Sequence, residues 1–329
     1  MNFLKSLKKF PNQKIAVIGD VFLDRFRWGI IDRVNPEQPA SPLVKIIEET
    51  SVLGGASNVA NNVSCFGAKC DLYGIIGRDL EGKKIKNLCY ESRIKPSLFE
   101  REEPTIIKER VMAHGQQVVR IDVGEANPSR IGKELEDRII DVLEKRLDTY
   151  NFVIMSDYDK GMFDEKFSRK MINLANSKNI PTLADPKPQN ISCFYGCTVI
   201  RPNKREAAMI TGINYENGER TLEKMAKILI KKTNSKYAVI TCGEDGVFCY
   251  NQEKRKSLMI KTKAKEVADV TGAGDTFVAT LALGLASGLE IFRASELANY
   301  ASGLVVEMVG TATTNIEELK KRLQEDRKI

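Results

Sequence analysis

Between Asp269 and Phe277 the chain reads Asp-Val-Thr-Gly-Ala-Gly-Asp-Thr-Phe, and an apolar helical stretch follows. Gly272, Ala273 and Gly274 carry almost no side chain, so their N–H groups stay open, and the dipole at the start of the helix adds partial positive charge. Together they make an anion hole for a phosphate. Asp275 stands at its mouth, where a carboxylate would repel the incoming anion. Such a carboxylate makes sense if it takes the proton from a hydroxyl attacking that phosphate. The plain alternative is a helix cap, but a cap requires neither three small residues nor the acid that follows them. No Gly-Lys-Ser/Thr follows, so the run is not a Walker P-loop. Phe277 stands where a dinucleotide fingerprint has its third glycine.

A site of this kind needs a scaffold. Lys14–Asp20, Ala68–Ile76, Phe152–Ser156, Pro181–Asp185, Cys197–Arg201 and Tyr237–Thr241 are short apolar runs that read as buried parallel strands. Ala56–Phe66, Leu80–Ser92, Arg130–Leu147, Lys166–Ser177, Lys204–Thr211 and Thr221–Lys232 read as helices between them. Gly272–Ser287, Ile291–Gly310 and Asn315–Gln324 read as closing helices. This alternation predicts an α/β fold, a mostly parallel central sheet covered on both faces. Ligands in such sheets bind beyond the C-terminal strand ends. Asp20, Asp157, Asp185, Asn203 and Thr241 follow the apolar runs at those ends.

Two stretches break the pattern. Arg25–Ser51 and Pro104–Val123 have no helical period, and His114-Gly115 reads as a turn between two strand-like segments. They predict a small β-sheet inserted in the single domain 1–329. A small exposed sheet invites covering or pairing, so a lid over the site and a homodimer contact through that lid are expected.

Bulk properties narrow the class. The chain has 329 residues and a net charge of +7, with its lysines and arginines dispersed; nucleic-acid binders concentrate charge on one surface, so no nucleic-acid partner is expected. Seven cysteines, no CxxC pair and a single histidine, His114, argue against a zinc site or disulfide framework and for a reducing, cytoplasmic compartment. Phe3, Leu4, Leu7 and Phe10 share one face of a short packing helix. No apolar stretch reaches membrane-span length, and no membrane association is expected.

The run from Asp269 to Phe277 resembles the signature of the ribokinase (PfkB) carbohydrate kinases. Gly54-Gly55-Ala-Ser-Asn58 resembles the family's sugar-side element, and Pro202-Asn203-Lys-Arg-Glu206 its Asn-x-x-Glu magnesium element. Thr241-Cys-Gly243-Glu-Asp-Gly246 is similar to the strand-turn that contacts nucleotide phosphates, and Asn299 falls where the family places a residue near the adenine. Five further segments resemble the heptose 7-phosphate kinases of bacterial ADP-heptose synthesis. They are Gly19–Arg25, Arg33–Glu37, Pro104–Arg110, Gln116-Gln117 with Arg120-Ile-Asp122, and Ser156–Gly161. Asp159 and the Pro39–Leu43 stretch depart from the usual pattern.

The resemblance implies a ribokinase-like three-layer sandwich and ATP-dependent phosphorylation of the anomeric hydroxyl of D-glycero-β-D-manno-heptose 7-phosphate. A kinase for another sugar or nucleoside, and an inactive ligand-binding regulator on the same fold, are the rival readings. Asp275 is then the catalytic base, with Gly272, Ala273 and Gly274 as the anion hole and Thr271 beside the nucleotide. Asn203 and Glu206 position Mg²⁺ through water, since an amide and a carboxylate one helical turn apart can hold metal-bound waters. Asp20, Asp24, Gly54, Gly55 and Asn58 are expected on the sugar. Lys160, Lys187, Arg110 and Arg120 are candidates for its far phosphate. Some ribokinase relatives use K⁺, which leaves a K⁺ ion near Asp269 open.

Overall fold

Lys14–Gly19 (β1) alternates its side chains between two cores: Ile15 and Val17 point into one, Ala16 and Ile18 into the other. A strand buried on both faces needs helices on both, which is what the chain supplies. The computed structural model describes residues 3–33, 35–124, 130–214, 218–308 and 312–326. After β1 come β2 (Val21–Ile30), β3 (Lys45–Gly55), β4 (Lys69–Gly77), β5 (Ile94–Arg101), β6 (Ile107–Ala113) and β7 (Gln116–Val123). The remaining strands are β8 (Phe152–Ser156), β9 (Thr182–Asp185), β10 (Val199–Ile200), β11 (Tyr237–Thr241), β12 (Val247–Asn251) and β13 (Lys256–Ile260). The helices are α1 (Phe3–Leu7), α2 (Ala56–Cys65), α3 (Leu80–Glu91), α4 (Lys133–Glu144) and α5 (Glu165–Ser177), followed by α6 (Lys204–Thr211), α7 (Glu219–Thr233), α8 (Ala273–Ala286), α9 (Ile291–Val305) and α10 (Ile316–Glu325).

Nine strands form the large sheet in the order β13-β12-β11-β10-β9-β8-β1-β4-β5. From β11 to β5 every pair is parallel, and β12 and β13 add an antiparallel edge. One face packs on α1, α2, α3, α8, α9 and α10 through residues such as Phe10, Phe66, Phe277 and Leu319. The other packs on α4 to α7 through Ile139, Phe167, Met225 and Leu229. These are the three expected layers.

The sequence pattern did not disclose β5, β12 and β13. Pro96 lies inside β5, and proline within a run argues against a strand except at an edge, which is where β5 sits. Residues 247–251 form a fully buried run too short to declare its period.

The small sheet has the order β3-β2-β6-β7. It is mixed: β2 pairs with β6 in parallel, and the outer pairs are antiparallel. The expected turn is present, with His114 (φ 51°) and Gly115 (φ 77°) both left-handed between β6 and β7. The lid reaches further than expected, because β2 begins at Val21, directly after Asp20, and β3 runs through Gly55. Paired residues share a face, so Asp24 with Lys108 and Phe26 with Arg110 line one side of this sheet.

Candidate active site

The Asp269–Asp275 segment crosses the C-terminal end of the large sheet and opens α8. Gly272 takes φ 81°, a left-handed turn that a glycine makes without strain. The N–H of Ala273 turns back to the carbonyl of Val270 at 3.3 Å. Those of Gly274 and Asp275 find no main-chain acceptor among the described residues, the normal state of a first helical turn. The open N–H groups of this turn are therefore those of Gly274 and Asp275 rather than that of Ala273. The Thr271 N–H donates to Asp269 Oδ1 at 2.9 Å, which sets the turn.

Asp275 is half-buried, and its two carboxylate oxygens are held separately. Asn58 Nδ2 donates to Oδ2 at 2.6 Å, and the Tyr158 hydroxyl donates to Oδ1 at 2.5 Å. Burial pushes this carboxyl above its usual range. The two hydrogen bonds and the nearby Arg201 pull it back, and Asp24 adds a small upward push. Asn58 sits in the first turn of α2, and its carbonyl accepts from Asn62 Nδ2 at 2.9 Å. Asn62 Oδ1 in turn accepts from Thr276 Oγ1 at 2.6 Å, stitching α2 to α8 beside the carboxylate.

Toward the centre of the sheet, Arg201 follows β10. Its Nη1 donates to Asp185 Oδ1 at 2.7 Å and its Nη2 to the Gly274 carbonyl at 3.0 Å. Burial lifts the Asp185 carboxyl to about 6 against the pull of Arg201. Beside it, Asn203 and Glu206 form a capping box on α6: Glu206 N–H donates to Asn203 Oδ1 and Asn203 N–H to Glu206 Oε2, each at 2.9 Å. Lys187 Nζ donates to the other Glu206 oxygen at 2.7 Å. Asn203 also bridges to Thr241 at the end of β11, and Gly243 (φ 62°) and Gly246 (φ 103°) shape the turn beyond it.

On the lid side, Asp24 is hydrogen-bonded to Arg110, whose guanidinium lies 5.4 Å from the centre of the Phe26 ring. Lys108 Nζ lies 4.0 Å from the centre of the Phe22 ring and 5.6 Å from that of Tyr158. The Asp275 carboxylate and the Asn58 amide thus meet at the start of α8, and the lid adds Arg110 on Asp24 and Lys108 beside Tyr158. That arrangement suits proton removal from a hydroxyl of an anionic substrate and transfer of a phosphoryl group to it.

A family model, "pfkB family carbohydrate kinase", matches residues 12–318. The chain belongs to this family. That makes it a phosphotransferase of the carbohydrate kinase class. Among similar proteins, "Bifunctional protein HldE" of Campylobacter curvus is 39% identical over 94% of this chain, and that of Aliarcobacter butzleri 38% over 95%. The chain spans 65% and 64% of the length of those two relatives. Among solved structures, ribokinase from Giardia lamblia superposes with TM-score 0.75 at 19% identity, covering 95% of this chain and 99% of that one. Phosphofructokinase-2 from Escherichia coli in complex with potassium superposes with TM-score 0.77 at 16% identity, over 94% and 97%. The fold is that of the ribokinases.

Within this pfkB kinase, several expected residues already have partners in the chain. Asp20 was expected on sugar hydroxyls. Its oxygens instead accept the main-chain N–H groups of Tyr158 (2.8 Å), Lys160 (3.2 Å) and Met162 (3.1 Å), fixing the loop after β8. Lys187 was expected near the far phosphate and pairs with Glu206 on the other side of the site. Asn299, expected at the adenine, is buried and donates to the Lys261 carbonyl at 2.7 Å, anchoring the exit of β13. Gly54 and Gly55 are required by packing. A Cβ at Gly54 would come within 2.5 Å of both Asp24 Oδ2 and the Phe22 ring, and one at Gly55 within 2.4 Å of the Asp20 carbonyl.

Arg110, a candidate for the far phosphate, is hydrogen-bonded to Asp24. Arg120 is its cross-strand neighbour on β7, but it is exposed and held by Asp122 through two bonds of 2.8 Å. Lys160 lines a small cavity with Asp20, Arg101 and Met162. Sequence reasoning overlooked Tyr158, Lys108, Asn62 and Arg201. Tyr158 lies within the Ser156–Gly161 segment that was singled out, and that was its one signal.

Proposed function

We propose that this kinase transfers the γ-phosphoryl group of ATP to the anomeric hydroxyl of D-glycero-β-D-manno-heptose 7-phosphate, giving the 1,7-bisphosphate for ADP-heptose synthesis. The observation that carries the reading is the Asp275 carboxylate, held by Asn58 and Tyr158 at the start of α8, with the lid cation Lys108 beside the Tyr158 ring and Arg110 on Asp24. Asp275 takes the hydroxyl proton as the oxygen attacks. The N–H groups of Gly274 and Asp275 hold the phosphoryl oxygens while charge develops on them. Arg110, Lys108 and Lys160 are the cations assigned to the far phosphate of the sugar, and Asp24 and Asn58 to its hydroxyls. Thr241, Gly243, Gly246 and Thr271 border the nucleotide.

Mg²⁺ fits the donor chemistry beside Asp185. Glu206 and Asn203 offer oxygen atoms one helical turn apart, suited to a hard cation that keeps its waters and binds mainly through phosphates. When bound, Mg²⁺ neutralises charge on the nucleotide phosphates. A K⁺ ion near Asp269 belongs to the same proposal, as does a cytoplasmic location. Among the described residues no helix is long and apolar enough to cross a membrane, and all seven cysteines are free.

Two lines support the heptose assignment. The matched relatives are named bifunctional, and the chain aligns with about 65% of one of them, so one of their two activities is assigned to the matched part. The five heptose-kinase-like segments contribute Arg110, Arg120 and Tyr158, three residues at or beside the site. The test offers heptose 7-phosphate, fructose 6-phosphate, ribose and adenosine side by side in an ADP-release assay. The expected result is a kcat/KM for heptose 7-phosphate well above the other three. A preference for any of those three overturns the substrate assignment.

The lid also suits a homodimer contact. Val119, Ile121 and Val123 alternate along β7 on the face away from Asp24 and Arg110, and all three are exposed, as is Ile46 of β3. At micromolar concentration the chromatographic mass should be that of two chains, and Ile121→Glu should reduce it to one. A monomeric mass for the unaltered protein rejects the dimer.

A further inference from the structure

Tyr158 is the least expected group at the site, and it is fixed from every direction. Its N–H donates to Asp20 Oδ2 at 2.8 Å. Its ring meets Phe22 edge-on, with centroids 5.2 Å apart and planes at 83°. Lys108 and Lys187 lie 5.6 and 5.7 Å from the centre of that ring. The hydroxyl of this clamped ring donates to Asp275 Oδ1. Burial and the neighbouring Asp275 hold the phenol far above its ordinary range, so it keeps its proton and acts as a donor.

We propose that Tyr158 is the positioning residue that keeps the half-buried Asp275 ionised and aimed, so that the carboxylate works as a base near neutral pH. The inference rests on the reading of Asp275 as the base. The physics is a contest between burial, which favours the neutral acid, and donors, which favour the anion. Asn58 supplies one donor and Tyr158 the other. A hydrogen bond to a charged group is worth enough to move a carboxyl titration by about one pH unit or more.

The sign follows. Removing the Tyr158 hydroxyl raises the pH at which Asp275 loses its proton. The acid limb of kcat/KM therefore moves to higher pH, and activity is lost near neutrality and regained in alkaline solution. A role in packing alone predicts a loss that is the same at every pH.

The experiment uses the full chain with Tyr158→Phe, which keeps the ring and its contacts, and with 3-fluorotyrosine placed at 158, a stronger donor. The Asp275 carboxyl carbon is followed by carbon-13 NMR against pH in the ligand-free protein, and its signal is assigned by its disappearance in Asp275→Asn. The pH profile of kcat/KM is recorded alongside. The expected result is a midpoint raised by about one unit or more in Tyr158→Phe and lowered with fluorotyrosine. A midpoint unmoved in both proteins overturns the proposal. The carboxyl titration needs no substrate, so it decides this point whichever sugar the enzyme accepts. Near-normal turnover by Asp275→Asn would instead overturn the reading of Asp275 as the base.

Discussion

Replacing Asp275 by Asn should lower kcat by about 10²-fold or more, with the affinity for ATP nearly unchanged. Asn has the same shape and can still accept a hydrogen bond from Tyr158 or Asn58, so the local geometry survives. It has no lone pair basic enough to take a proton from the attacking hydroxyl. The phosphate side of the site is built from main-chain N–H groups at the start of α8. The Arg201 bond that holds this turn goes to the Gly274 carbonyl, and neither feature depends on the Asp275 side chain. The loss should therefore fall on kcat rather than on nucleotide binding. Single-turnover kinetics and calorimetric titration with ATP separate the two. Turnover within a few-fold of the unaltered enzyme would remove Asp275 from the base role. A large fall in ATP affinity would mean that the carboxylate holds the nucleotide site together.

The residues that sequence could reveal are those whose chemistry is written locally. The Gly-Ala-Gly-Asp run declares an anion hole with an acid at its mouth. The polar residues that follow apolar runs locate the site at one end of the sheet. His114-Gly115 declares its turn. What stayed hidden depends on partners far away in the chain. Tyr158 meets Asp275 across 117 positions, and Arg201 meets the Gly274 carbonyl across 73. Nothing near either residue signals the pairing. Lys187 shows the same limit from the other side. A lysine after a strand end was read as a phosphate ligand, but its position opposite Glu206 depends on how α6 packs beside β9. Asn299 was carried over by resemblance, and only the fold shows its amide facing the Lys261 carbonyl. Asp20 is expected on the sugar, and the N–H groups its oxygens accept from Tyr158, Lys160 and Met162 depend on the path of the 158–162 loop, which only the fold shows.

The Arg201 pairing leads to the second large effect. Arg201→Met should destabilise the fold by roughly 3–5 kcal/mol, the usual cost of leaving one partner of a buried ion pair alone. Arg201 is 5% exposed, and it joins three separate pieces of chain: the end of β10, Asp185 at the end of β9, and the Gly274 carbonyl in the α8 turn. Methionine fills much of the volume, and Phe277, 5.6 Å from the guanidinium, still packs against it. The cost therefore comes from Asp185, half-buried and left without its hydrogen-bonded cation, with Lys187 still nearby. Adding Asp185→Asn to Arg201→Met removes that lone charge and should restore much of the lost stability. It should not restore turnover, because the Gly274 carbonyl still lacks its donor and the N–H groups that receive the phosphoryl oxygens remain unclamped. Denaturant unfolding of both single variants and the double variant gives the coupling energy, and kcat on the same proteins gives the catalytic part. A single variant within about 1 kcal/mol of the unaltered protein would show that the pair contributes little. A double variant that regains both stability and turnover would show that Arg201 serves only to neutralise Asp185 and that the α8 turn holds its shape unaided.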